Sequence, residues 1–298
     1  MIPTRGKAGD LKRRAGERIG PADARFLLEH ATGCTHAELI ASPDRAFPDE
    51  VLRRFESLVT RRAAGEPLAY LVGTAWFCGL EFVVSPAVLI PRPETETLVE
   101  RAAARARGIR RPRIADIGTG SGIVAIMLAK YFPDAEVTAT DVSDAALDIA
   151  CANAARHGVM PRFVRSDWFS ALDGEGFDVI VSNPPYVAFG DPHLLENGLP
   201  FEPQLALTDG VAGAAGLLCI RKLIEGATRH LNPGASLLIE HGYDQAARVR
   251  ALLAEAGFTE VRSTRDASGI ERVTEGIRDQ ETEDRRQRTE DRRQKGIQ

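Results

Sequence analysis

A glycine-rich segment between a short apolar run and an apolar helix constrains the fold of this chain most. Residues 114–117, Ile-Ala-Asp-Ile, are typical of a short buried strand, and residues 118–122, Gly-Thr-Gly-Ser-Gly, follow them at once. Residues 123–130 then continue as a helix. Because glycine adopts backbone conformations that other residues avoid, this turn lets N–H groups at the helix start approach a ligand closely. The unit predicts an α/β fold with a ligand site at the turn.

Strand and helix patterns alternate along the rest of this region. Apolar runs predict further strands over residues 136–140, 177–181, 235–240, 258–264 and 271–274, with another strand unit ending near residue 168. Helices are predicted over residues 217–230 and 244–256, and Asn232-Pro233-Gly234 is expected to separate the first of them from the next strand. This order predicts a parallel sheet with helices on both faces and a closing antiparallel hairpin.

Polar and aromatic residues follow two of the predicted strands. Asp141 comes 19 residues after Gly122, where a carboxylate can accept hydrogen bonds from both ribose hydroxyls of an adenosine ligand. Ser166-Asp167-Trp168 places an acid and a large aromatic ring where the edge and face of an adenine could lie. These residues therefore predict a nucleoside-containing ligand.

The glycine spacing distinguishes between two classes of cofactor. A dinucleotide fingerprint has the spacing G-x-G-x-x-G, with the helix start facing a pyrophosphate. Here the glycines stand at positions 118, 120 and 122, and position 123 is isoleucine. The spacing argues against a nicotinamide oxidoreductase, an alternative that a cofactor titration would test.

The segment Asn183-Pro184-Pro185-Tyr186 follows the predicted strand 177–181 and has unusual chemistry. Each proline fixes its own φ and lacks an N–H, and the second proline holds the first in an extended conformation. The carbonyls of Asn183 and Pro184 should therefore point outward as rigid acceptors. An amide side chain and an aromatic ring lie beside them. The segment is suited to holding a planar group that carries an NH2.

The predicted α/β region comprises residues 94–277, and the remainder of the chain divides into three parts. Residues 1–75 are predicted to form a helical bundle with helices beginning at Pro21 and Pro48. The bundle is assigned to substrate docking, although its net charge of +2 against −6 for the rest fits a solvated cap on the larger domain equally well. Residues 76–93 are predicted to form a β-hairpin linker that turns near Cys78-Gly79. Arg92 and Glu94 are expected to form a structural ion pair there. Residues 278–298 contain a charged seven-residue repeat without apolar positions, which predicts a disordered tail.

Composition excludes several classes of function. The chain has 298 residues, of which 44% are hydrophobic, as in globular proteins. A net charge of −4 argues against duplex DNA as the main partner. Four scattered cysteines predict reduced thiols in the cytoplasm, no metal site is predicted, and no apolar run is long enough to span a membrane.

Several motifs carry a resemblance to a known family. The G-x-G-x-G loop preceded by Asp116 resembles the cofactor loop of S-adenosylmethionine-dependent methyltransferases. Residues 90–96 (Ile-Pro-Arg-Pro-Glu-Thr-Glu), 116–122 and 183–186 together resemble the release factor glutamine methyltransferases. Residues 166–169, 201–203 and 240–242 extend the likeness, which covers roughly residues 10–277. It implies a seven-stranded, mostly parallel Rossmann-like methyltransferase domain with a small N-terminal helical domain.

The resemblance implies an activity and a set of site residues. The reaction would transfer a methyl group from S-adenosylmethionine to the side-chain nitrogen of the glutamine in a Gly-Gly-Gln loop of peptide chain release factors. Asp116 would help to hold the cofactor's ammonium group. The other residues implied to line the cofactor are Gly118, Thr119, Gly120, Ser121, Gly122, Asp141, Trp168 and Asn183. Substrate binding falls to Asn183, Pro184, Pro185 and Tyr186, of which Asn183, Pro184 and Tyr186 are the catalytic candidates.

No general base is predicted, because His193 and His241 are interpreted as surface or packing residues. We expect a monomer that binds no nucleic acid directly. An adenine amino-methyltransferase that holds a flipped base is one alternative. Glutamine methylation of a ribosomal protein and a non-catalytic cofactor-binding scaffold are the others.

Overall fold

The N-terminal region is a bundle of five helices. The computed structural model describes residues 6–279, so the predicted tail from residue 280 onward lies outside the described residues. The five helices, in chain order, are α1 Ala8–Ile19, α2 Pro21–Thr32, α3 His36–Ala41, α4 Asp49–Ala63 and α5 Leu68–Val72. They bury a common apolar core that includes Leu11, Leu27 and Phe55.

The sequence predicted two of these helices. As predicted, α2 begins at Pro21 and stops before Gly33, which adopts φ 69°, and α4 begins one residue after Pro48. The other three were missed. Helix α3 carried a recognisable mark, since Thr35 and Glu38 form a reciprocal capping box at its start.

A β-hairpin connects the bundle to the sheet domain. Strands β1 (Thr74–Phe77) and β2 (Leu80–Val83) are antiparallel and turn at Cys78-Gly79, as predicted. Helix α6 follows at Thr95–Ala106. The hairpin is fastened by Asn153, which bonds both the N–H and the carbonyl of Val83 (2.7 and 3.0 Å). The same side chain donates to the Ser121 carbonyl at 2.9 Å, so it couples the hairpin to the glycine loop.

The sheet has seven strands in the order β5-β4-β3-β6-β7-β9-β8. Its strands are β3 Arg113–Ile117, β4 Glu136–Asp141, β5 Arg162–Arg165, β6 Phe177–Ser182, β7 Leu231–Glu240, β8 Phe258–Arg265 and β9 Glu271–Arg278. Helices α7 (Ile123–Tyr131), α8 (Asp144–His157), α9 (Leu218–His230) and α10 (Ala246–Glu255) complete the domain. Only β8 and β9 introduce antiparallel pairing, so the predicted mostly parallel sheet with a closing hairpin is confirmed.

Alternate residues of the central strands pack into two separate cores. Ile114 and Val179 face the core formed with α6 and α7, whereas Ala115 and Ile180 face the core formed with α9 and α10. This alternation follows from the two-residue period of a strand and explains why the central strands are apolar throughout.

Two boundaries differ from the sequence-based expectation. Asn232-Pro233-Gly234 was expected to lie outside the strand, but these residues belong to β7, where the pairing with β6 shifts register. Asn232 stabilises the irregularity by donating to Asp178 at 2.8 Å. Strand β9 also continues past residue 274, and Arg278, which had been assigned to the tail, is its last residue.

The sheet order reverses beside β3, which is flanked by β4 on one side and β6 on the other. In open α/β sheets, a crevice at the carboxyl ends of the strands around such a switch point is the usual ligand site. The glycine loop and residue 183 follow the two strands that meet there. No helix within residues 6–279 combines the length and apolar character that a membrane crossing requires.

Candidate active site

The glycine loop is held against the end of β4. The N–H groups of Gly118 and Thr119 both donate to the Thr140 carbonyl, at 2.9 and 2.8 Å. Gly120 and Gly122 adopt positive φ of 55° and 84°, values that favour glycine. A Cβ at Gly122 would also press against Ala150 of α8. The loop therefore depends on glycine for both its conformation and its close packing.

Asp141 anchors this loop from the end of β4. One carboxylate oxygen accepts the Gly120 N–H and the other accepts the Ser143 N–H, both at 2.9 Å. A carboxylate oxygen can accept more than one hydrogen bond, so the half-buried group keeps capacity for two further donors. This matches the requirement of a pair of ribose hydroxyls.

Asp116 is a buried carboxyl group beneath the loop, with 1% of its surface exposed. It accepts hydrogen bonds from the Thr119 hydroxyl at 2.6 Å and the Ala125 N–H at 3.2 Å. Its pKa is raised to about 6, mainly by burial and in smaller part by the Asp141 charge, while the two hydrogen bonds act in the opposite direction. A buried carboxyl whose charged neighbour is another carboxylate fits a cationic ligand group.

Trp168 lies at the edge of the site, after β5. Its φ is +55°, an uncommon value for a bulky residue, and Ser166 Oγ supports the turn by donating to the Trp168 carbonyl at 2.9 Å. The ring is half-buried and packs against the core on the α9 side of the sheet. The Trp168 side chain therefore contacts the core and also follows a strand end that borders the site. Asp167, beside it in the sequence, is exposed.

The segment 183–186 leaves the central strand β6 beside β3. Ser182 Oγ donates to the Ile117 carbonyl at 2.6 Å, which fixes the end of β6 to the strand before the glycine loop. Asn183 Nδ2 donates to Thr95 Oγ1 at 3.2 Å. Within residues 6–279, no turn, loop or side-chain hydrogen bond ends on Asn183 Oδ1 or on the carbonyl oxygens of Asn183 and Pro184. Three acceptors therefore remain available at this strand end.

Tyr186 is fixed at both its ring and its backbone. Its hydroxyl donates to Glu240 Oε1 at 3.3 Å, and Gln245 Nε2 donates to its carbonyl at 2.9 Å. Burial and the neighbouring Glu240 carboxylate raise the pKa of the hydroxyl, so it stays protonated. The Tyr186 ring therefore has little freedom to leave the site.

Replacing Gly216 by alanine should disturb this arrangement. Gly216 has φ +69°, and a Cβ there would overlap the Tyr186 carbonyl oxygen that Gln245 binds. Because the contact is with backbone, we expect Gly216→Ala to lower the free energy of unfolding by about 1–3 kcal/mol and to reduce kcat. Thermal unfolding and turnover would be compared with Gly213→Ala, where φ is also positive but the space is open. Equal effects of the two variants would contradict the packing argument.

The predicted ion pair between Arg92 and Glu94 was wrong, because Arg92 pairs with Glu202 instead. Arg92 Nη2 bonds Glu202 Oε1 at 2.5 Å, and Glu202 Oε2 also accepts the Ile90 N–H at 3.0 Å. Glu94 instead stands at the start of α6. The pair therefore joins residues that are 110 positions apart and fastens the 3-10 turns after residue 186 to the segment before α6.

Both histidines near the 183–186 segment in the sequence, His193 and His241, already have hydrogen-bond partners. His193 is exposed and pairs with Asp191 at 2.7 Å, which raises its pKa. His241 is buried, its Nε2 lies 2.8 Å from Thr274 Oγ1, and its Nδ1 lies 2.9 Å from the Gly242 carbonyl. Both rings are thus engaged in local hydrogen bonds.

Four residues of this region were given no role by the sequence: Thr95, Glu202, Glu240 and Gln245. Three of them stand inside or next to the motifs that carry the family resemblance, which was the available indication. Their contacts connect segments far apart in the chain, so no local pattern could assign them.

Comparison with known proteins gives two family matches. The family described as "PrmC N-terminal domain" matches residues 10–73, and the family described as "Methyltransferase small domain" matches residues 93–194. Among solved structures, a methyltransferase from Pyrococcus furiosus has a TM-score of 0.50 at 21% identity, covering 75% of this chain and 98% of that chain. That likeness concerns the fold alone, and it agrees with the predicted methyltransferase architecture.

Relatives of much higher identity extend over nearly the whole chain. The release factor glutamine methyltransferase of Burkholderia pseudomallei is 48% identical over 281 residues, which cover 92% of this chain and 97% of that protein. The release factor glutamine methyltransferase of Escherichia coli is 43% identical over 256 residues, which cover 85% and 91%. These relatives support the release factor interpretation rather than the adenine or ribosomal-protein alternatives. The chain belongs to the family of release factor glutamine methyltransferases.

Proposed function

We propose that this chain transfers a methyl group from S-adenosylmethionine to the side-chain nitrogen of the glutamine in the Gly-Gly-Gln loop of peptide chain release factors. We place the reaction in the cytoplasm, with a monomeric enzyme and no direct contact to nucleic acid. The observation that carries the proposal is that no turn, loop or side-chain hydrogen bond within residues 6–279 ends on Asn183 Oδ1 or on the carbonyl oxygens of Asn183 and Pro184, which follow the strand beside β3.

The residues at the strand ends fit the cofactor. The buried Asp116 carboxyl suits an ammonium group, and Asp141 has acceptor capacity left for ribose hydroxyls. The glycine loop from Gly118 to Gly122, with Thr119, Gly120 and Ser121, would form the floor, and Trp168 would contact the adenine. When bound, S-adenosylmethionine supplies an electrophilic methyl group on a positively charged sulfur.

Asn183 and Pro184 would hold the substrate carboxamide. An amide nitrogen is a poor nucleophile because its lone pair is delocalised into its carbonyl, and its hydrogens become more acidic as positive charge develops on it. Asn183 Oδ1 and the Pro184 carbonyl can each accept one of these N–H groups. Acceptors that are already fixed where positive charge appears lower the barrier without reorganising.

The same two contacts also orient the nitrogen. Holding a nucleophile in line with its target can be worth several kcal/mol, with an upper end of roughly 7–11 kcal/mol. Pro185 stiffens the segment, and Tyr186 would cover the flat face of the glutamine amide. With His193 and His241 both engaged elsewhere, no general base is assigned. As the new N–CH3 bond forms, the S–CH3 bond of the cofactor would break, leaving a neutral thioether, and the nitrogen would lose one proton to water.

The domain division gives each part of the chain a role. We propose that residues 1–75 dock the release factor, that the linker 76–93 sets the position of this bundle, and that the sheet domain, residues 94–278, performs the transfer. The Arg92–Glu202 pair supports this division, because it ties the linker to the loop that follows residue 186. No role is assigned to the predicted tail beyond Arg278, the last residue of β9.

Incubation with radiolabelled S-adenosylmethionine tests the proposal. Three acceptors are offered separately: a release factor, double-stranded DNA and ribosomal large-subunit proteins. The proposal predicts label on the release factor only. Label on DNA would indicate an adenine methyltransferase, and binding of the cofactor without label on any acceptor would favour a non-catalytic scaffold.

A further inference from the structure

We propose that Thr95 and Glu240 fix which way the Asn183 side-chain amide faces, so that its oxygen rather than its NH2 meets the substrate. In this scheme Thr95 is a positioning residue that acts through Asn183, and Glu240 acts through Thr95. The inference rests on the proposed function, because it assigns Asn183 Oδ1 as the acceptor for the glutamine NH2.

Thr95 is placed to control the Asn183 amide. It is the first residue of α6, and 1% of its surface is exposed. Its hydroxyl oxygen accepts the Asn183 Nδ2 hydrogen at 3.2 Å. Since an amide has its nitrogen and oxygen on opposite sides, this contact turns Oδ1 away from Thr95.

Glu240 lies behind this contact, at the end of the neighbouring strand β7. The side chain is fully buried, and its Oε1 accepts the Tyr186 hydroxyl at 3.3 Å. Its Oε2 is buried and has no partner of ordinary hydrogen-bond geometry within residues 6–279. The neighbouring hydroxyls of Thr95 and Tyr186 both lower the pKa of this carboxyl, and Tyr186 already occupies Oε1. Oε2 is therefore the oxygen available to the Thr95 proton.

The direction of the hydrogen bonds follows from the chemistry of the groups. A carboxylate can only accept, whereas a hydroxyl donates one hydrogen and accepts others. With its proton committed to Glu240, Thr95 can only accept from Asn183, and Asn183 must present its NH2 to Thr95. Without that constraint, the hydroxyl could donate to Oδ1 and the amide could turn over, which would present an NH2 to the substrate NH2.

Charged neighbours determine when Glu240 can play this part. Its pKa is raised to about 7, mainly by burial and in smaller part by Glu94, while the Thr95 and Tyr186 hydroxyls and Arg272 act in the opposite direction. A protonated Glu240 has a donor of its own and no longer imposes one direction. Turnover at saturating cofactor should therefore fall as the pH decreases through about 7.

The test compares Thr95→Val with Thr95→Ser. Valine keeps the shape and removes the hydroxyl, whereas serine keeps the hydroxyl. Thr97→Val is the matched control, since it makes the same change on the same helix at a half-buried position. We expect kcat for release factor methylation to fall about tenfold to a hundredfold in Thr95→Val, with KM and cofactor Kd within about threefold of the wild type. We expect Thr95→Ser to restore most of kcat.

Three outcomes are distinguishable. If the wild-type enzyme methylates the release factor and Thr95→Val is equally active, the positioning role of Thr95 is wrong and the proposed function still stands. Equal losses of kcat and thermal stability in the valine and serine variants assign Thr95 a packing role and also overturn it. A wild-type enzyme that transfers nothing to the release factor overturns the proposed function and this inference with it.

A second variant keeps the inference testable should Thr95→Val fold poorly. Glu240→Gln is close in shape but carries both a donor and an acceptor, so it cannot impose a direction. We expect a lower kcat that no longer decreases between pH 8 and pH 6, whereas the wild-type kcat does. An unchanged pH profile in Glu240→Gln would contradict the role given to Glu240.

Discussion

Asn183→Ala should lose methyl transfer while it keeps cofactor binding. The substitution removes the side-chain oxygen that faces the developing positive charge, and removal of one such fixed group typically costs about 10²–10³-fold in kcat. The glycine loop is held by Thr140 and Asp141 and does not depend on the Asn183 side chain. We therefore expect turnover close to background and a cofactor Kd within about tenfold of the wild type, measured by calorimetry.

His193→Ala is the informative companion to this experiment. The ring is exposed and paired with Asp191, so its removal should leave kcat unchanged. Near-normal turnover in Asn183→Ala would rule out the acceptor role. A strong loss in His193→Ala would show that a general base had been overlooked.

Asp116→Asn should change cofactor affinity and apo-protein stability in opposite directions. The carboxyl is buried, and removing one partner of a buried charged pair costs about 2–5 kcal/mol of binding, so we expect the cofactor Kd to rise about 30-fold or more. In the absence of cofactor, the same buried charge lowers the free energy of unfolding. Its pKa of about 6 against an ordinary value of 3.8 corresponds to roughly 3 kcal/mol at neutral pH, which the neutral side chain would recover in part.

The pH dependence of both effects has a fixed sign. An acid with a raised folded-state pKa binds protons more tightly when folded, so wild-type apo stability decreases as the pH rises from about 4 to about 7. Glu240 contributes in the same direction over a range that extends to higher pH, and its part should persist in Asp116→Asn. Over pH 5 to 7, cofactor affinity should rise in the wild type as Asp116 ionises and should stay nearly flat in the variant.

Denaturant unfolding and cofactor titrations at several pH values check this prediction. A variant that loses both affinity and stability would mean that Asp116 serves mainly as a structural acceptor for Thr119 and Ala125. A variant with unchanged affinity would remove Asp116 from the cofactor site altogether.

Local chemistry made most of the fold predictable. The apolar strands around Ile114 and Val179 and the glycine loop after Ile117 each carry their pattern within a few residues. Some predictions failed because the deciding contact is distant in the chain, and others because a local pattern was weak or not recognised. Asn232 stays in β7 because Asp178 of β6 accepts its side chain, and α1 is anchored by only a few buried positions such as Leu11.

For the candidate site, the positions of the main residues could be predicted from the sequence, but several of their contacts could not. Asp141 ends β4 and Asn183 follows β6, the two strands that flank β3, so their place at the same edge of the sheet could be inferred from the order of elements. The partners of Arg92 and Tyr186 could not, since Glu202 and Glu240 come from distant segments that only the folded sheet brings together. The motifs that contain Arg92 and Tyr186 pointed to a role in the site, but they did not identify the residues that these two side chains contact.

Mass spectrometry of the release factor's Gly-Gly-Gln peptide tests the central claim most directly. A release factor purified without prior methylation is incubated with cofactor and either wild-type enzyme or Asn183→Ala, then digested and fragmented. We predict that wild-type enzyme adds the mass of one methylene group, localised by fragment ions to the glutamine side chain, and that the variant leaves the peptide unmodified. An unmodified peptide after treatment with active, cofactor-binding wild-type enzyme would contradict the account.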